Sequence, residues 1–296
     1  FIGTDPTQEI TDNSYVAFYP YASGQYTNGN VWAIPFAASI GLPGAGNAAF
    51  DAPGHLTGAG NVAFGGARTS VDGPFPTPFG FGFPPSVATQ VNGYLDLTGG
   101  VASSGSLYVL ASGGNDGRDA LDDILADPGN MNTIIANAAT AFASGISTLV
   151  TQLENAGARH LVVWNVPNFG LVPAVTVNGP GAAFVGNQLA QQMNAALGQA
   201  LAGDTHVKLF DLYGLLTAAA ANPAAYGLTN VTDACGNPGA GCNPATSLFW
   251  DGVHPTAFGH EIIAGAMHAT VVPLPGASGL LLVGVVLVAR TARRRA

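Results

Sequence analysis

Charge is the scarcest property of this chain. Only 8% of its 296 residues are Asp, Glu, Lys or Arg, against about 25% in an average soluble protein. That excludes long surface helices laced by ion pairs. Basic residues are few: eight in all, four of which, Arg290, Arg293, Arg294 and Arg295, crowd the last seven positions. The body keeps Arg68, Arg118, Arg159 and Lys208 against 17 acids. Such a surface repels a phosphate backbone, so nucleic acid is excluded as a partner.

Cysteine is nearly absent too. Cys235 and Cys242 stand alone in DACGNPGAGCNP, and two thiols without further soft ligands make a poor zinc site. The Gly and Pro between them permit a tight loop closed by a disulfide, which would mean an oxidising compartment. Two free thiols are the alternative. What the chain does have is hydrophobic mass (48%) and 41 glycines, about twice the usual ~7%. A sizeable core with many turns follows.

The C-terminus, VVPLPGASGLLLVGVVLVARTARRRA, is an apolar run followed by the arginine block. It is short for a span of ~20 residues, but counted from Val271 it suffices. The arginines suit a cytoplasmic stop. The lead Val272, Pro273, Leu274, Pro275, the apolar stretch and the terminal arginines resemble the PEP-CTERM sorting signals of bacterial envelope proteins. That resemblance implies an exported protein, transiently anchored in the membrane by residues 271–296 and met there by a sorting protease.

Upstream, apolar segments alternate as in parallel-sheet proteins. Strands are expected at 106–112, 160–166 and 206–213. Helices are expected at 87–97, 131–156, 182–202 and 256–271, with a short one at 31–42 broken near Pro35. No linker divides the chain, so residues 1–268 read as one α/β domain.

Functional groups of open α/β sheets gather past the carboxyl ends of strands. Two segments sit there. ASGGNDG, 111–117, can project the amide of Asn115 from a tight turn. DGVHPT, 251–256, sets Asp251 three residues before His254. A carboxylate beside an imidazole fixes its tautomer and suits general base work. A helix cap at Asp251, with His254 packed on an aromatic ring, is the structural alternative. No other histidine (His55, His160, His206, His260, His268) has a comparable setting in sequence.

GGND and DGVHPT resemble the third and fifth signature blocks of the SGNH/GDSL hydrolases, the GDSL-like lipases and acylhydrolases. GNVAFGGA, 60–67, resembles the second. YTNGNVWAIPFAASIGL (26–42), PPSVATQVNGYL (84–95) and VVWNVPNFGLVP (162–173) add agreement in the same order. The resemblance implies a three-layer α/β/α sandwich with a flavodoxin-like parallel sheet. It implies a carboxylic ester hydrolase with no metal and no organic cofactor, acting on a small-molecule, lipid or glycan ester. His254 would be the base and Asp251 its support. Asn115 and the backbone of Gly66 would form the oxyanion hole, with Gly65 one residue away as the alternative donor.

One block is missing. No Gly-Asp-Ser occurs, and no Gly-x-Ser-x-Gly elbow. FIGTDPTQ reads like residues just beyond the nucleophile strand. The expectation is that this strand and its serine precede Phe1, and that the 296-residue polypeptide alone is unstable or inactive. Genuine loss of the nucleophile would instead leave a non-catalytic envelope or matrix protein binding glycan or lipid. Polysaccharide deacetylation is a third reading.

Three lesser signals remain. Asp116, Asp119, Asp122, Asp123 and Asp127 miss calcium-loop spacing and read as acids favouring a helix start. Phe75, Phe79, Phe81 and Phe83 would pack a loop or line an acyl pocket. Asn230 to Thr232 has the pattern of a glycosylation sequon.

Overall fold

The computed structural model describes residues 21–22, 25–52, 55–56, 60–76, 80–237 and 239–272. The segment 1–20 and the residues from 273 onward, where the sorting signal is expected, lie outside these. In chain order the helices are α1 (Ala33–Ser39), α2 (Val87–Leu97), α3 (Gly114–Ala126), α4 (Met131–Ala156), α5 (Pro173–Thr176), α6 (Pro180–Ala200), α7 (Leu212–Ala221) and α8 (Ala257–Val271). The strands are β1 (Phe50–Ala52), β2 (His55–Leu56), β3 (Phe75–Pro76), β4 (Gly82–Phe83), β5 (Leu107–Leu110), β6 (His160–Trp164) and β7 (Val207–Phe210).

Among the described residues the central sheet is parallel and ordered β5-β6-β7. Leu107 pairs with His160, and Leu161 with Val207. The middle strand shows why the molecule has three layers. Successive strand side chains point to opposite faces. Leu161 and Val163 enter one apolar cluster, and Val162 and Trp164 enter the other. Leu161, Val162 and Val163 are all essentially inaccessible, as a strand covered on both faces must be.

The first cluster is closed by Val87 and Val91 of α2, Ala120 and Ile124 of α3, Phe142 and Ile146 of α4, and Leu189 and Met193 of α6. The second takes Phe36 from α1, Leu216 from α7, and Ile263 and Met267 from α8. Each large side chain so buried stabilises the fold by about 1.5–3 kcal/mol. By length and composition, α4 with the turn before it could cross a membrane. Here its apolar stripe faces the sheet.

Helix ends follow local chemistry. Ser86 caps α2, accepting from Thr89 N, while Asp72 accepts from Ser86 N at 2.7 Å and Thr89 Oγ1 at 2.7 Å. Burial alone would raise the Asp72 pKa, but these donors outweigh it and hold the carboxyl below its usual range. α6 opens on Pro180, where a missing N–H costs nothing. α4 stops at Gly157, whose φ of +119° suits only glycine.

Four differences from the sequence reading have physical causes. Pro35 does not break its helix, because it sits in the first turn of α1, where N–H groups have no intrahelical partner. GGND is not a bare turn: Asn115 lies in the first turn of α3. The strand expected to reach 213 ends at Phe210, since Asp211 accepts from Gly214 N and starts α7. Val271, expected both to end the last helix and to begin the tail, closes α8 and packs on the second cluster. Of the aromatic loop, Phe75 pairs with Phe83 across the β3–β4 hairpin, and Phe83 meets Phe64 edge-on at 5.9 Å. That is packing, and Phe79 lies outside the described residues.

Gly113 joins β5 to α3 with φ +98°, and a Cβ there would lie 2.4 Å from Val166 Cγ1 and 2.6 Å from Phe142 Cε2. Gly113→Ala is therefore expected to destabilise the fold by about 2–4 kcal/mol, from left-handed strain plus overpacking. Equilibrium urea unfolding measures it.

Candidate active site

The segment 247–256 is a tight loop closed by backbone bonds. Thr256 N donates to Leu248 O at 2.9 Å, and Trp250 N to His254 O at 2.8 Å. Phe249 and Pro255 form an antiparallel bridge. Asp251 and His254 stand at its tip. Asp251 Oδ1 accepts from Val253 N at 2.7 Å and His254 N at 2.6 Å. Asp251 Oδ2 lies 2.7 Å from His254 Nδ1. The carboxylate is thus both a turn-closing group and the partner of the imidazole. It does not cap α8; Thr256 does, accepting from Gly259 N.

The Asp251 side chain is 17% exposed and that of His254 37%. Burial by itself would raise the Asp251 pKa. The bonds and charge of His254, with the Val253 N–H, more than offset it and hold Asp251 at about 2. With Nδ1 committed to Asp251, the imidazole presents Nε2 outward. Nε2 has no hydrogen-bond partner among the described residues.

The opposing element is the loop before Thr69. Gly66 has φ +80°, and its N–H has no partner among the described residues. Asn115 Nδ2 donates to Ala67 O at 2.9 Å, which orients the amide and leaves its second N–H without a partner among the described residues. The acids of α3 complete this clamp. Asp116 accepts from Thr69 N at 3.1 Å and Thr69 Oγ1 at 3.1 Å. Arg68 forks onto Asp119. Burial pushes the Asp116 carboxyl above its usual range despite those donors. Reading these acids only as favourable to a helix start missed their reach across to residues 68 and 69.

Tyr26 links the two halves. Its ring stacks on His254 with centroids 5.0 Å apart and planes 21° apart. The same ring lies over Gly65, where a Cβ would be 2.1 Å from Tyr26 Cε2. His254, Tyr26, Gly65, Gly66, Ala67 and Asn115 therefore form a continuous chain of contacts and neighbours. The following residues bind the loop of His254: Thr27 Oγ1 donates to Pro255 O at 2.9 Å, and Asn28 Oδ1 accepts from Ala257 N at 2.7 Å. Sequence reasoning missed the roles of Tyr21, Tyr26, Thr27 and Asn28. The only signal for the last three was their place in a segment agreeing with the family pattern.

The remaining histidines are disposed elsewhere. His206 also has a carboxylate, Glu154, at 2.8 Å, a partner that its setting in the sequence did not reveal. That pair lies at the start of β7 and the end of α4, the opposite end of the strands. Glu154, Asp204 and His206 hold ligand-type atoms within 4.8 Å of one another. Asp204 Oδ1 is taken up by His206 N and Val207 N. His260 is buried, which pushes its pKa down to about 3 with help from the His254 charge. His268 meets Ser39 at 2.9 Å, and His160 is exposed. The side chain of His55 lies outside the described residues.

Cys235 and Cys242 form a disulfide. Its loop is bound to the segment leading into the site: Cys235 N donates to Phe249 O at 3.1 Å and Gly236 N to Trp250 O at 2.6 Å. The sequon residue Asn230 is held within the same region, its Oδ1 accepting from Thr232 N at 3.0 Å.

A three-layer α/β/α protein with an acid–imidazole pair beside a glycine and amide loop is the class that fold and site define. The chain belongs to the GDSL-like lipase/acylhydrolase family, whose model matches residues 10–267. It is similar to the esterase EstA of Pseudomonas aeruginosa, 35% identical over 182 residues, which is 55% of this chain and 26% of that protein. It also resembles the GDSL esterase/lipase APG of Arabidopsis thaliana, 32% identical over 146 residues, 41% of each. A third relative is an uncharacterized protein in the trpE-trpG intergenic region of Pseudomonas putida, 29% identical over 196 residues, 60% of this chain and 30% of that one. The matches thus span well under half the length of these relatives.

Asp251 titrates lower folded than its ordinary 3.8. Its ionised form therefore stabilises the fold at every pH above about 4, by about 2 kcal/mol, and this is lost as pH falls towards about 2. The melting-temperature gap between the wild type and Asp251→Asn is expected to be widest above pH 4 and to close near pH 2. A constant gap would contradict this origin.

Proposed function

We propose that the protein is a serine ester hydrolase acting on carboxylic esters. His254 Nε2 takes the proton from a serine hydroxyl as it attacks the ester carbonyl, then returns it to the leaving alcohol. Asp251 fixes the Nε2-unprotonated tautomer and steadies the imidazolium. Asn115 Nδ2 and the Gly66 N–H receive the negative charge on the carbonyl oxygen; donors of this kind are worth about 10²–10³ in rate each. The observation that carries the reading is the 2.7 Å contact of Asp251 with His254 Nδ1, which leaves Nε2 available as the basic nitrogen. The chemistry requires a serine beside Nε2, and the family's Gly-Asp-Ser is not among the 296 residues. Export to an oxidising envelope or extracellular compartment, with the C-terminal segment as anchor, belongs to the same proposal. The disulfide supports it.

The test uses the full open reading frame and short p-nitrophenyl esters. Hydrolysis is expected, with His254→Ala lowering kcat/KM by about 10³-fold or more and Asn115→Ala by about 10²–10³. If the full-length protein lacks a serine beside His254 and turns over no ester, the glycan- or lipid-binding reading replaces this one.

A further inference from the structure

Asp251 has a second side-chain partner besides His254. Tyr21, 230 positions earlier, places its hydroxyl 2.7 Å from Asp251 Oδ2, the same oxygen that faces His254 Nδ1. The phenol can only donate to an ionised carboxylate. Oδ1 is already taken by two backbone N–H groups, so all of the acid's strong acceptor sites are directed. Tyr21 also meets Tyr26 edge-on, with centroids 6.0 Å apart, and Tyr26 stacks on the imidazole. One short segment thus holds both members of the acid–base pair, Tyr21 through the carboxylate and Tyr26 through the ring face.

We propose that Tyr21 is a positioning residue that sets the basicity of His254 by sharing the Asp251 oxygen. The inference rests on the hydrolase reading for its effect on turnover, but not for its effect on titration. A donor on Oδ2 draws carboxylate charge away from Nδ1. It therefore limits how strongly Asp251 holds the imidazolium, and leaves the proton that Nε2 gains easier to pass on. It also prevents the carboxylate from rotating away from the imidazole. Among the described residues, the titratable groups tied to His254 are Asp251 from its own loop, Tyr26 on its ring face, Tyr21 through Asp251, and His260 from α8. His260 is buried with Nδ1 unpartnered among the described residues. It stays neutral through the physiological range, so it adds no competing charge there. Burial and the neighbouring Asp251 raise the pKa values of both tyrosines, so neither ionises in that range.

The experiment is Tyr21→Phe in the full-length protein, with the His254 titration followed by ring-nitrogen NMR and turnover followed on p-nitrophenyl esters. The imidazole is expected to titrate about half a unit or more higher. The acid limb of the pH profile should move with it, and kcat should fall about tenfold at unchanged KM. Tyr94→Phe, which removes a remote hydroxyl bonded to Tyr108, should leave the titration in place. An unmoved His254 titration in Tyr21→Phe, or an equal shift in Tyr94→Phe, overturns the proposal. If the wild type hydrolyses no ester, the hydrolase reading fails, and the titration still decides the role of Tyr21. Should Tyr21→Phe not fold, the wild-type Tyr21 hydroxyl proton decides. A slowly exchanging downfield resonance close to the His254 ring supports the proposal, and free exchange with water overturns it.

Discussion

Everything at this site depends on how one carboxylate divides its two oxygens. Oδ1 of Asp251 closes the turn through the N–H groups of Val253 and His254, and Oδ2 meets the imidazole that this turn delivers. The loop conformation and the histidine orientation therefore have a common cause. Closing a turn and holding an imidazole are usually opposed readings of an Asp-x-x-His pattern; here a single residue does both. Charge-assisted bonds of this kind are about twice as strong as neutral ones, which is why a half-exposed imidazole can be held in one tautomer.

The scarcity of charge acquires meaning in the fold. Asp72 holds Ser86 N, Asp116 holds Thr69 N, Asp204 holds His206 N, and Asp211 holds Gly214 N. Asp251 belongs to the same set. These acids fasten backbone at the joints between elements, where glycine-rich loops would otherwise leave donors unmet. Two of the joints, at Thr69 and at Asp251, border the site. The loops that carry Gly66 and His254 are thereby fixed to α3 and to their own turn, and the ring of Tyr26 sets the separation between them.

The sheet and its long helices were legible in sequence because their signals are local. Continuous apolar runs marked β6, and the 26 residues of α4 were bounded as expected. The disulfide was legible as a possibility from loop composition. Boundaries were lost where a single side chain overrides the pattern, as when Asp211 turns a strand into a helix start. At the site, the spacing of Asp251 and His254 and the GGND run could be read directly. The tyrosine segment could not. Its role arises from contacts between residues more than two hundred positions apart, and neither spacing nor composition encodes these. The clamp of Asp116 and Asp119 on residues 68 and 69, and the acid beside His206, join residues about fifty positions apart, and spacing and composition encode these no better.

The proposed mechanism makes a spatial claim: a base on one loop, a backbone donor on a second and an amide at the start of α3 serve the same reacting carbonyl. A crystal structure of the full-length protein after reaction with a phosphonate ester tests it most directly. The account expects a seryl adduct with its phosphoryl oxygen within hydrogen-bonding distance of both Asn115 Nδ2 and Gly66 N, and with the seryl oxygen beside His254 Nε2. An adduct elsewhere, or one whose oxygen faces water while Asn115 and Gly66 remain apart from it, would contradict it.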